Sequence, residues 1–197
     1  MQNTMRVTLI SHAATKAQRR AAFPLDETLD EREISTIVEL KWQMPRVHGV
    51  LAAPEHRAQQ TARALGFDAE TSMELRDCNY GTWAGRELEE VSSTDPKGIA
   101  EWLTNPSATP HGGDSIANLV ARSGQWLDSL PKTGHLVAVT HPAVIRGALL
   151  YVLDAPTLAF WRIDIAPLTL TDLRFSGKWT LRSTACPLRR TIEESAE

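Results

Sequence analysis

The sequence predicts an α/β protein of three layers, in which helices cover both faces of a mostly parallel central sheet. Three short segments have the composition of buried strands, because they are apolar, rich in β-branched residues and ended by small or polar residues: residues 6–10, 47–53 and 135–139. Longer segments with apolar residues at helical spacing lie between them. Strands and helices that alternate along a chain favour parallel pairing of the strands.

The predicted helices have recognisable starting residues. Apolar residues recur at helical spacing over residues 27–42, 55–65, 116–130 and 143–153. Pro54 and Pro142 stand where the second and the fourth of these helices begin, and Asp114 or Ser115 can cap the third. A shorter helix is expected near residues 99–103, inside the proline-rich segment 93–113, which we interpret as an insertion over a binding site.

The C-terminal part of the sequence predicts a β-hairpin. Two segments of alternating polar and apolar residues, 168–175 and 178–184, are joined at Ser176-Gly177. No internal repeat or linker divides the chain, so we expect residues 1–197 to form one domain. The apolar stretch 149–161 suits an interface as well as a core, which leaves a homodimer open.

Composition argues against several classes of function. The chain has 197 residues and a formal net charge of −3, which disfavours nucleic acid or an acidic membrane surface as a partner. Cys78 and Cys186 are too few for a disulfide framework or a zinc site and are predicted to be free thiols. The sequence shows neither a secretory signal nor an uninterrupted apolar span, so we expect a cytoplasmic protein.

Two of the three predicted strands are followed by histidines, His12 and His141. Ligands of open α/β sheets bind outside the carboxyl ends of the strands, so separate strands would bring both imidazoles to one site. Arg57, in the first turn of the helix after the second strand, adds a permanent cation at the same edge. Asp77, in the loop that follows residue 75, adds a carboxyl group.

These four side chains suit phosphoryl transfer. A neutral imidazole nitrogen can attack phosphorus and form a phosphoenzyme, which divides one difficult step into two easier ones. Cationic donors hold the equatorial oxygens as negative charge develops on them. A carboxylic acid can protonate the leaving alkoxide, and its conjugate base can then activate water.

Each candidate residue also has an ordinary structural interpretation. A single histidine after a strand is more often a hydrogen-bonded structural residue, Arg57 alone suits a solvated helix, and Asp77 alone suits a turn or a cap. Their joint placement at strand ends and helix starts favours the functional interpretation. His111 adjoins the turn at Gly112-Gly113, where it would overhang a pocket.

Five segments of the sequence resemble motifs of the histidine phosphatase superfamily, also called the phosphoglycerate mutase-like family. They are LISHAAT, AAPEHRAQQTARAL, LRDCNYGTWAGRELEEV, PHGGDS and VAVTHPAVIRGAL. The resemblance implies a phosphoglycerate mutase-like fold. It places His12 at the phosphorylated histidine, Arg57 at the phosphate-binding arginine, Asp77 at the proton donor and His141 at the second histidine. Thr15 matches the threonine of the first motif.

The sequence departs from the family pattern at four positions around the expected phosphate pocket. Ser11 stands at the arginine before the nucleophile, Ala13 at the glycine after it, and Asp77 at a glutamate that is one methylene longer. Pro142, which has no N–H, replaces the glycine after the second histidine. The pocket thus loses one fixed cation and one backbone donor, and Ser11 offers only a neutral hydrogen bond. Four other arginines are candidates to replace the cation: Arg19, Arg20, Arg76 and Arg146.

Three functional hypotheses follow, in decreasing order of preference. The first is a phosphomonoesterase that needs no metal or cofactor and acts on a small phosphorylated substrate, with inorganic phosphate as product. Its catalytic residues would be His12, Asp77 and His141, and its substrate-binding residues Ser11, Thr15, Arg57 and His111. The alternative is a catalytically impaired family member that binds a phosphorylated ligand or a protein. A generic doubly wound nucleotide-binding domain ranks last, because no glycine-rich turn follows the first strand.

Overall fold

The computed structural model describes residues 4–43 and 47–189. Its strands are β1 (Met5–Ser11), β2 (Gly49–Ala52), β3 (Glu70–Thr71), β4 (Gly134–Thr140), β5 (Thr169–Phe175) and β6 (Trp179–Pro187). They form one sheet in the order β3-β2-β4-β1-β5-β6. The first four strands of this order are parallel, whereas β5 is antiparallel to both β1 and β6. The mostly parallel sheet and the C-terminal hairpin that the sequence predicts are confirmed.

Helices and 3₁₀ turns connect these strands. The α-helices are α1 (Lys16–Arg19), α2 (Glu31–Glu39), α3 (His56–Ala64), α4 (Leu88–Thr94), α5 (Pro96–Thr104), α6 (Ile116–Ser129) and α7 (Pro142–Val152). The 3₁₀ turns span Met73–Leu75, Gly81–Trp83 and Thr157–Arg162. Ser115, rather than Asp114, caps α6, since its side chain accepts a hydrogen bond from the backbone N–H of Asn118 at 3.1 Å.

The helices lie on both faces of the sheet. The connections from β1 to β2 and from β2 to β3 cross the sheet in one direction, and the connection from β3 to β4 crosses it in the other. Right-handed crossovers therefore put α2 and α3 on one face and α6 on the opposite face. The packing of α2 against α3, and of α6 against α7, agrees with this arrangement. The predicted three-layer architecture is confirmed.

The neighbouring strands β1 and β4 open a crevice at their carboxyl ends. The chain leaves β1 toward the α2 face and leaves β4 toward the α7 face, an arrangement that separates the two connections and makes room for a ligand. Ser11 pairs with Thr140 in the parallel register. His12 and His141, one residue further along each strand, therefore leave the sheet side by side.

Several predicted boundaries are wrong, for local reasons. The helix predicted over residues 27–42 is confined to α2. Before it, the backbone N–H of Leu29 is bound by the Gln60 side chain at 2.7 Å, and after it Lys41 adopts a positive φ of 43°. The short helix expected near residues 99–103 is the longer α5, since Asp95 caps it by accepting from the N–H of Gly98.

The apolar parts of the chain are mostly in the core. Of the stretch 149–161, Leu149 and Phe160 are buried, whereas Tyr151, Leu153 and Leu158 are exposed. Within the described ranges, no helix is both long and apolar enough to cross a membrane. Both cysteines are free, Cys78 in the interior and Cys186 at the surface.

Candidate active site

The two predicted histidines meet at the edge formed by β1 and β4. The backbone N–H of His12 donates to the carbonyl oxygen of Thr140 at 2.9 Å, which ties the end of β1 to the end of β4. The two imidazole rings lie edge to face, with their centroids 5.1 Å apart. Both side chains are buried. The sheet register thus brings together two residues that are 129 positions apart in the sequence.

His12 has the protonation pattern of a nucleophile. Its Nδ1 lies 2.7 Å from the carbonyl oxygen of Ala13, an atom that can only accept, so Nδ1 carries the proton and Nε2 keeps its lone pair. Burial, together with the positive charges of His141 and Arg57, lowers the pKa of His12 to about 3, although the hydrogen bond to Ala13 and the carboxylate of Asp77 act in the opposite direction. The ring is therefore neutral at physiological pH.

Arg57 and Asp77 form a buried ion pair beside His12. The Nη2 of Arg57 donates to the Oδ2 of Asp77 at 2.6 Å, and its Nη1 donates to the carbonyl oxygen of Leu25 at 2.7 Å. The Nε of Arg57 is buried and has no hydrogen-bond partner among the described residues. Arg57 is held in place because α3 is tied to the turn after β1 through Thr61, whose hydroxyl accepts from the N–H of Ala13.

Glu55 is a site residue that the sequence interpretation missed. Its Oε2 accepts a hydrogen bond from Nε2 of His141 at 2.7 Å, and its Oε1 accepts from the backbone N–H of Asp77 at 3.0 Å. Burial alone would raise the pKa of Glu55, but the hydrogen bond and charge of His141 and the N–H of Asp77 lower it to about 2. Glu55 lies three residues after the end of β2 and directly before the start of α3, so the rule of strand ends and helix starts that selected His12, His141 and Arg57 also points to it.

Asp77 is ionised in this arrangement. Burial would raise its pKa, but His141, Arg57 and the backbone N–H of Cys78 favour the carboxylate and hold the pKa below its usual value. The Nδ1 of His141 lies 3.5 Å from the Oδ2 of Asp77. His141 therefore stands between two carboxylates, Glu55 at one ring nitrogen and Asp77 at the other.

The loop that carries Asp77 is held in place by a second arginine, Arg122, which lies outside the cavity lining. The guanidinium of Arg122, on α6, donates to the backbone carbonyl oxygens of Glu74, Arg76 and Asp77 at 2.7, 2.8 and 3.2 Å. The hydroxyl of Thr140 donates to the carbonyl oxygen of Leu75 at 2.7 Å. These bonds fix the position of Asp77 relative to β4.

A cavity of about 310 Å³ opens beside these groups. His12, Arg57 and Asp77 line one part of it, which we call the charged half. The other part, which we call the aromatic half, is lined by Tyr80, Trp102, Arg146, Phe160 and Trp161. His141 is not among the lining residues and lies behind His12 and Asp77. Within the described ranges, no three His, Cys, Asp or Glu side chains are grouped so as to hold a metal ion.

Comparison with known proteins identifies the family. The profile of the histidine phosphatase superfamily (branch 1) matches residues 7–186, which include both histidines, Arg57 and Asp77. The chain belongs to the histidine phosphatase superfamily. The resemblance seen in the sequence motifs is confirmed.

Individual relatives of this histidine phosphatase family member are distant. A bifunctional protein of Mycobacterium tuberculosis is 26% identical over 191 residues, which cover 90% of this chain and 52% of that protein. This chain thus spans about half the length of that curated relative. Phosphoserine phosphatase 1 of Hydrogenobacter thermophilus is 24% identical over 147 residues, 70% of each chain. The fold matches the phosphoserine phosphatase of Entamoeba histolytica with a TM-score of 0.81 and 22% identity, covering 96% of this chain and 98% of that one.

Of the three remaining predicted substrate-binding residues, one lines the cavity and two do not. Thr15 lines the cavity, where its hydroxyl caps α1 by accepting from the N–H of Gln18 at 3.3 Å. Ser11 is fully buried and does not line the cavity, and its hydroxyl has no hydrogen-bond partner among the described residues. His111 is also buried behind the cavity wall, where its ring packs 4.9 Å from that of Trp83.

Of the four arginines considered as replacements for the missing cation, three are bound by other groups and one lines the cavity. Arg19 is bound by Asp30 and Glu33, and Arg20 is bound by Glu87. Arg76 donates to the carbonyl oxygen of Met73 at 3.2 Å. Arg146 is the one of these four that lines the cavity. Pro142 also lines it, so a pyrrolidine ring occupies the place where the family pattern has a glycine.

Proposed function

We propose that this protein is a phosphomonoesterase that hydrolyses a small phosphorylated substrate through a phosphohistidine at His12. One observation carries the proposal: the Nε2 lone pair of a neutral, buried imidazole adjoins a cavity that Arg57 and Asp77 also line. A neutral imidazole is the form that attacks phosphorus. Membership of the family and the phosphatases among the relatives support the same activity.

In the first step, Nε2 of His12 attacks the phosphorus atom and the ester P–O bond breaks. Arg57 binds the equatorial oxygens through its unpartnered Nε and, after exchange, through Nη2. The first-turn N–H groups of α7 near Ala143 add partial positive charge at the same wall. The His12 ring, which loses its neutral state as the P–N bond forms, is stabilised by donating Nδ1–H to Ala13.

Asp77 is the proton donor to the leaving alkoxide. In the ligand-free arrangement it is a carboxylate, because Arg57 and His141 lower its pKa more than burial raises it. A dianionic phosphoryl group takes over part of the attraction of Arg57 and adds a negative charge beside Asp77. Both effects raise the pKa of Asp77, so substrate binding itself favours the protonated acid.

In the second step, the carboxylate of Asp77 removes a proton from water, the water oxygen attacks phosphorus and the P–N bond breaks. Inorganic phosphate leaves, and Asp77 returns its proton to solvent as it pairs again with Arg57. His141 and Glu55 do not line the charged half themselves, so we assign them a positioning role. Glu55 orients His141, and His141 balances the charge on Asp77.

Rapid mixing with a chromogenic aryl phosphate, followed by alkaline quench, tests the proposal. We expect a burst of acid-labile, alkali-stable phosphoenzyme and steady release of phosphate. The change His12→Asn should abolish both. His56→Asn is the matched control, since the ring of His56 is exposed and bonded to Asp26. Native protein without phosphoenzyme or phosphate release over a broad panel of phosphomonoesters would contradict the proposal.

The alternative, a binding protein without turnover, is favoured by one observation. Ser11 does not reach the cavity, so it supplies no substitute for the cation expected at its position, and Arg57 is already engaged by Asp77. The change Ser11→Arg distinguishes the two. If it creates phosphatase activity in an inactive native protein that binds phosphate, the binding function is correct. If the native protein already hydrolyses phosphomonoesters and Ser11→Arg lowers that activity, the phosphatase function is correct.

A further inference from the structure

The aromatic half of the cavity contains two buried hydrogen-bond donors without partners. The indole N–H of Trp102 and the Nε–H of Arg146 are each buried and have no hydrogen-bond partner among the described residues. Both side chains line the cavity that contains His12. An unsatisfied buried donor costs free energy, most of all on a charged group, so two of them on one wall point to a ligand that accepts from both.

The guanidinium of Arg146 also has no carboxylate in direct contact among the described residues. It packs over the ring of Phe160, 5.5 Å from the centroid. Asp164, which lines the same cavity, is exposed and forms no ion pair with it. A cation held between apolar walls attracts an anion more strongly than a solvated one does.

Arg146 lies away from the reacting end of the cavity. It follows Pro142 by four residues on α7, so it lies on the same helix face about 6 Å further along the axis. The groups that act electrostatically on Arg146 are Tyr80 and Asp164, whereas those that act on His12 are His141, Arg57 and Asp77. Tyr80 lies within the influence of both Arg57 and Arg146.

The walls around these donors are rigid and aromatic. The rings of Trp102 and Trp161 are 4.4 Å apart, and those of Phe160 and Trp161 are 4.9 Å apart, both edge to face. Trp102 also packs against Tyr80 at 6.2 Å. Such walls favour an apolar or planar body between the two ends of a ligand.

We infer that Arg146 and Trp102 form a second-anion subsite, and that the substrate is a phosphomonoester that carries another oxyanion, a carboxylate or a second phosphate, on an apolar body. The inference rests on the proposed function for the reaction, but not for the binding. The transferred phosphoryl group occupies the charged half, and the second oxyanion accepts hydrogen bonds from the guanidinium of Arg146 and the indole of Trp102. Both residues are then specificity-determining rather than catalytic.

A rival role for Arg146 is to replace the cation absent at Ser11. In that case Arg146 would bind the transferred phosphoryl group of every substrate. The two roles differ in one measurable quantity, the ratio of affinities between ligands that differ only in the distal group.

Non-hydrolysable phosphonates separate these roles without requiring turnover. Calorimetry should compare benzylphosphonate with 4-(phosphonomethyl)benzoate, p-xylylenediphosphonate and 4-(aminomethyl)benzylphosphonate. We expect the carboxylate or the diphosphonate to bind about 10–100-fold more tightly than benzylphosphonate, the range for hydrogen bonds to a charged group. Whichever of the two binds more tightly identifies the second oxyanion. The amine should bind less tightly than benzylphosphonate.

The variants complete the test. Arg146→Gln should reduce the preference for the second oxyanion to about twofold or less, Arg146→Lys should retain part of it, and Trp102→Phe should reduce it by a smaller factor. Arg162→Gln, at an exposed arginine, is the control that should retain the preference. Equal affinity of wild type for all four ligands, or preference for the amine, would overturn the inference. An equal loss for every ligand in Arg146→Gln would assign Arg146 to the phosphoryl group instead. Absence of turnover alone would contradict only the proposed function.

Discussion

The two halves of the cavity satisfy their polar groups in opposite ways. In the charged half, Arg57 is paired with Asp77, and behind it His141 is bound by Glu55, so most charges already have partners. In the aromatic half, the guanidinium of Arg146 packs against a ring and its Nε has no partner within the described ranges. A ligand of the charged half can bind the free Nε of Arg57 but must displace Asp77 from its Nη2, whereas a ligand of the aromatic half displaces no partner of Arg146 or Trp102 among the residues that the structure describes.

This difference explains how one cavity can separate reactivity from selectivity. Burial sets the protonation state of His12, and the neighbouring charges of Arg57 and His141 set that of Asp77, before the substrate arrives. The unpaired donors of the aromatic half take no part in that network, so they are free to select among substrates. Substitutions in the charged half should alter kcat/KM for all substrates, and substitutions in the aromatic half should alter the ratio of kcat/KM between substrates.

The largest effect is expected from Arg57→Gln, which removes the cation of the charged half. We expect kcat/KM to fall by about 10²–10³ for every phosphomonoester, the usual cost of one transition-state donor. Breaking a buried ion pair should also lower the free energy of unfolding by about 3–5 kcal/mol. Steady-state kinetics and urea unfolding measure the two effects. An unchanged rate would show that Arg57 serves only to hold Asp77, and Arg63→Gln on the same helix is the control.

A smaller general effect is expected from Glu55→Gln. The amide keeps the shape of Glu55, but its single oxygen can accept from only one of its two present donors, His141 and the N–H of Asp77, and it lacks the charge. Loss of a charged hydrogen bond predicts a decrease in kcat of about 10–100-fold for all substrates. Glu101→Gln, at an exposed glutamate on α5, should leave kcat unchanged. A decrease in kcat restricted to one substrate would show that Glu55 selects among substrates instead.

Glu55 also predicts a dependence of stability on pH. Its pKa in the folded protein, about 2, is lower than the usual value of 4.5, so its stabilising contribution is complete above about pH 4.5 and is lost as the pH falls toward 2. The free energy of unfolding of the wild type should therefore decrease more steeply over this range than that of Glu55→Gln. Parallel slopes, measured by urea unfolding between pH 3 and pH 5.5, would contradict the assignment.

The smallest effect is expected from Asp164→Asn in the aromatic half. Removing this exposed carboxylate from the cavity wall should increase the preference for a substrate with a second oxyanion by about two- to threefold, since exposed charges interact weakly. The kcat/KM values of 4-carboxyphenyl phosphate and phenyl phosphate, compared as a ratio, measure it. A reduced preference would mean that Asp164 helps to hold Arg146 in place.

The charged half could be predicted from the sequence more fully than the aromatic half. His12, His141 and Arg57 are found by one rule, because strand ends and helix starts meet at one edge of the sheet. Glu55 obeys the same rule, but it was interpreted as the first residue of a helix, and only the structure brings it to His141. Asp77 was placed correctly in a loop, but its ion pair depends on side-chain geometry that no local pattern encodes.

The aromatic half depends on contacts between distant segments. Trp102 comes from the segment predicted as an insertion. Arg146 is one of four arginines that the sequence offers as a replacement cation, and only the structure shows that it, and not the other three, lines the cavity. The two-residue strand β3 and the helix α4 were not predicted, since each is too short to show a periodic pattern. The neighbours of His111 in sequence predict that it overhangs the pocket, but the structure packs its ring against Trp83 behind the cavity wall.

The affinity of Asp77→Asn for inorganic phosphate tests the central contrast most directly. If Asp77 competes with the phosphoryl group for Arg57 in the charged half, removing its charge should tighten the binding of phosphate by about tenfold while turnover is lost, since a nearby like charge disfavours the anion. Isothermal calorimetry at neutral pH measures this directly, and Asp95→Asn is a control at a helix cap remote from the cavity. Weaker binding of phosphate by Asp77→Asn would show that Asp77 holds Arg57 in place for the ligand, and would contradict the account.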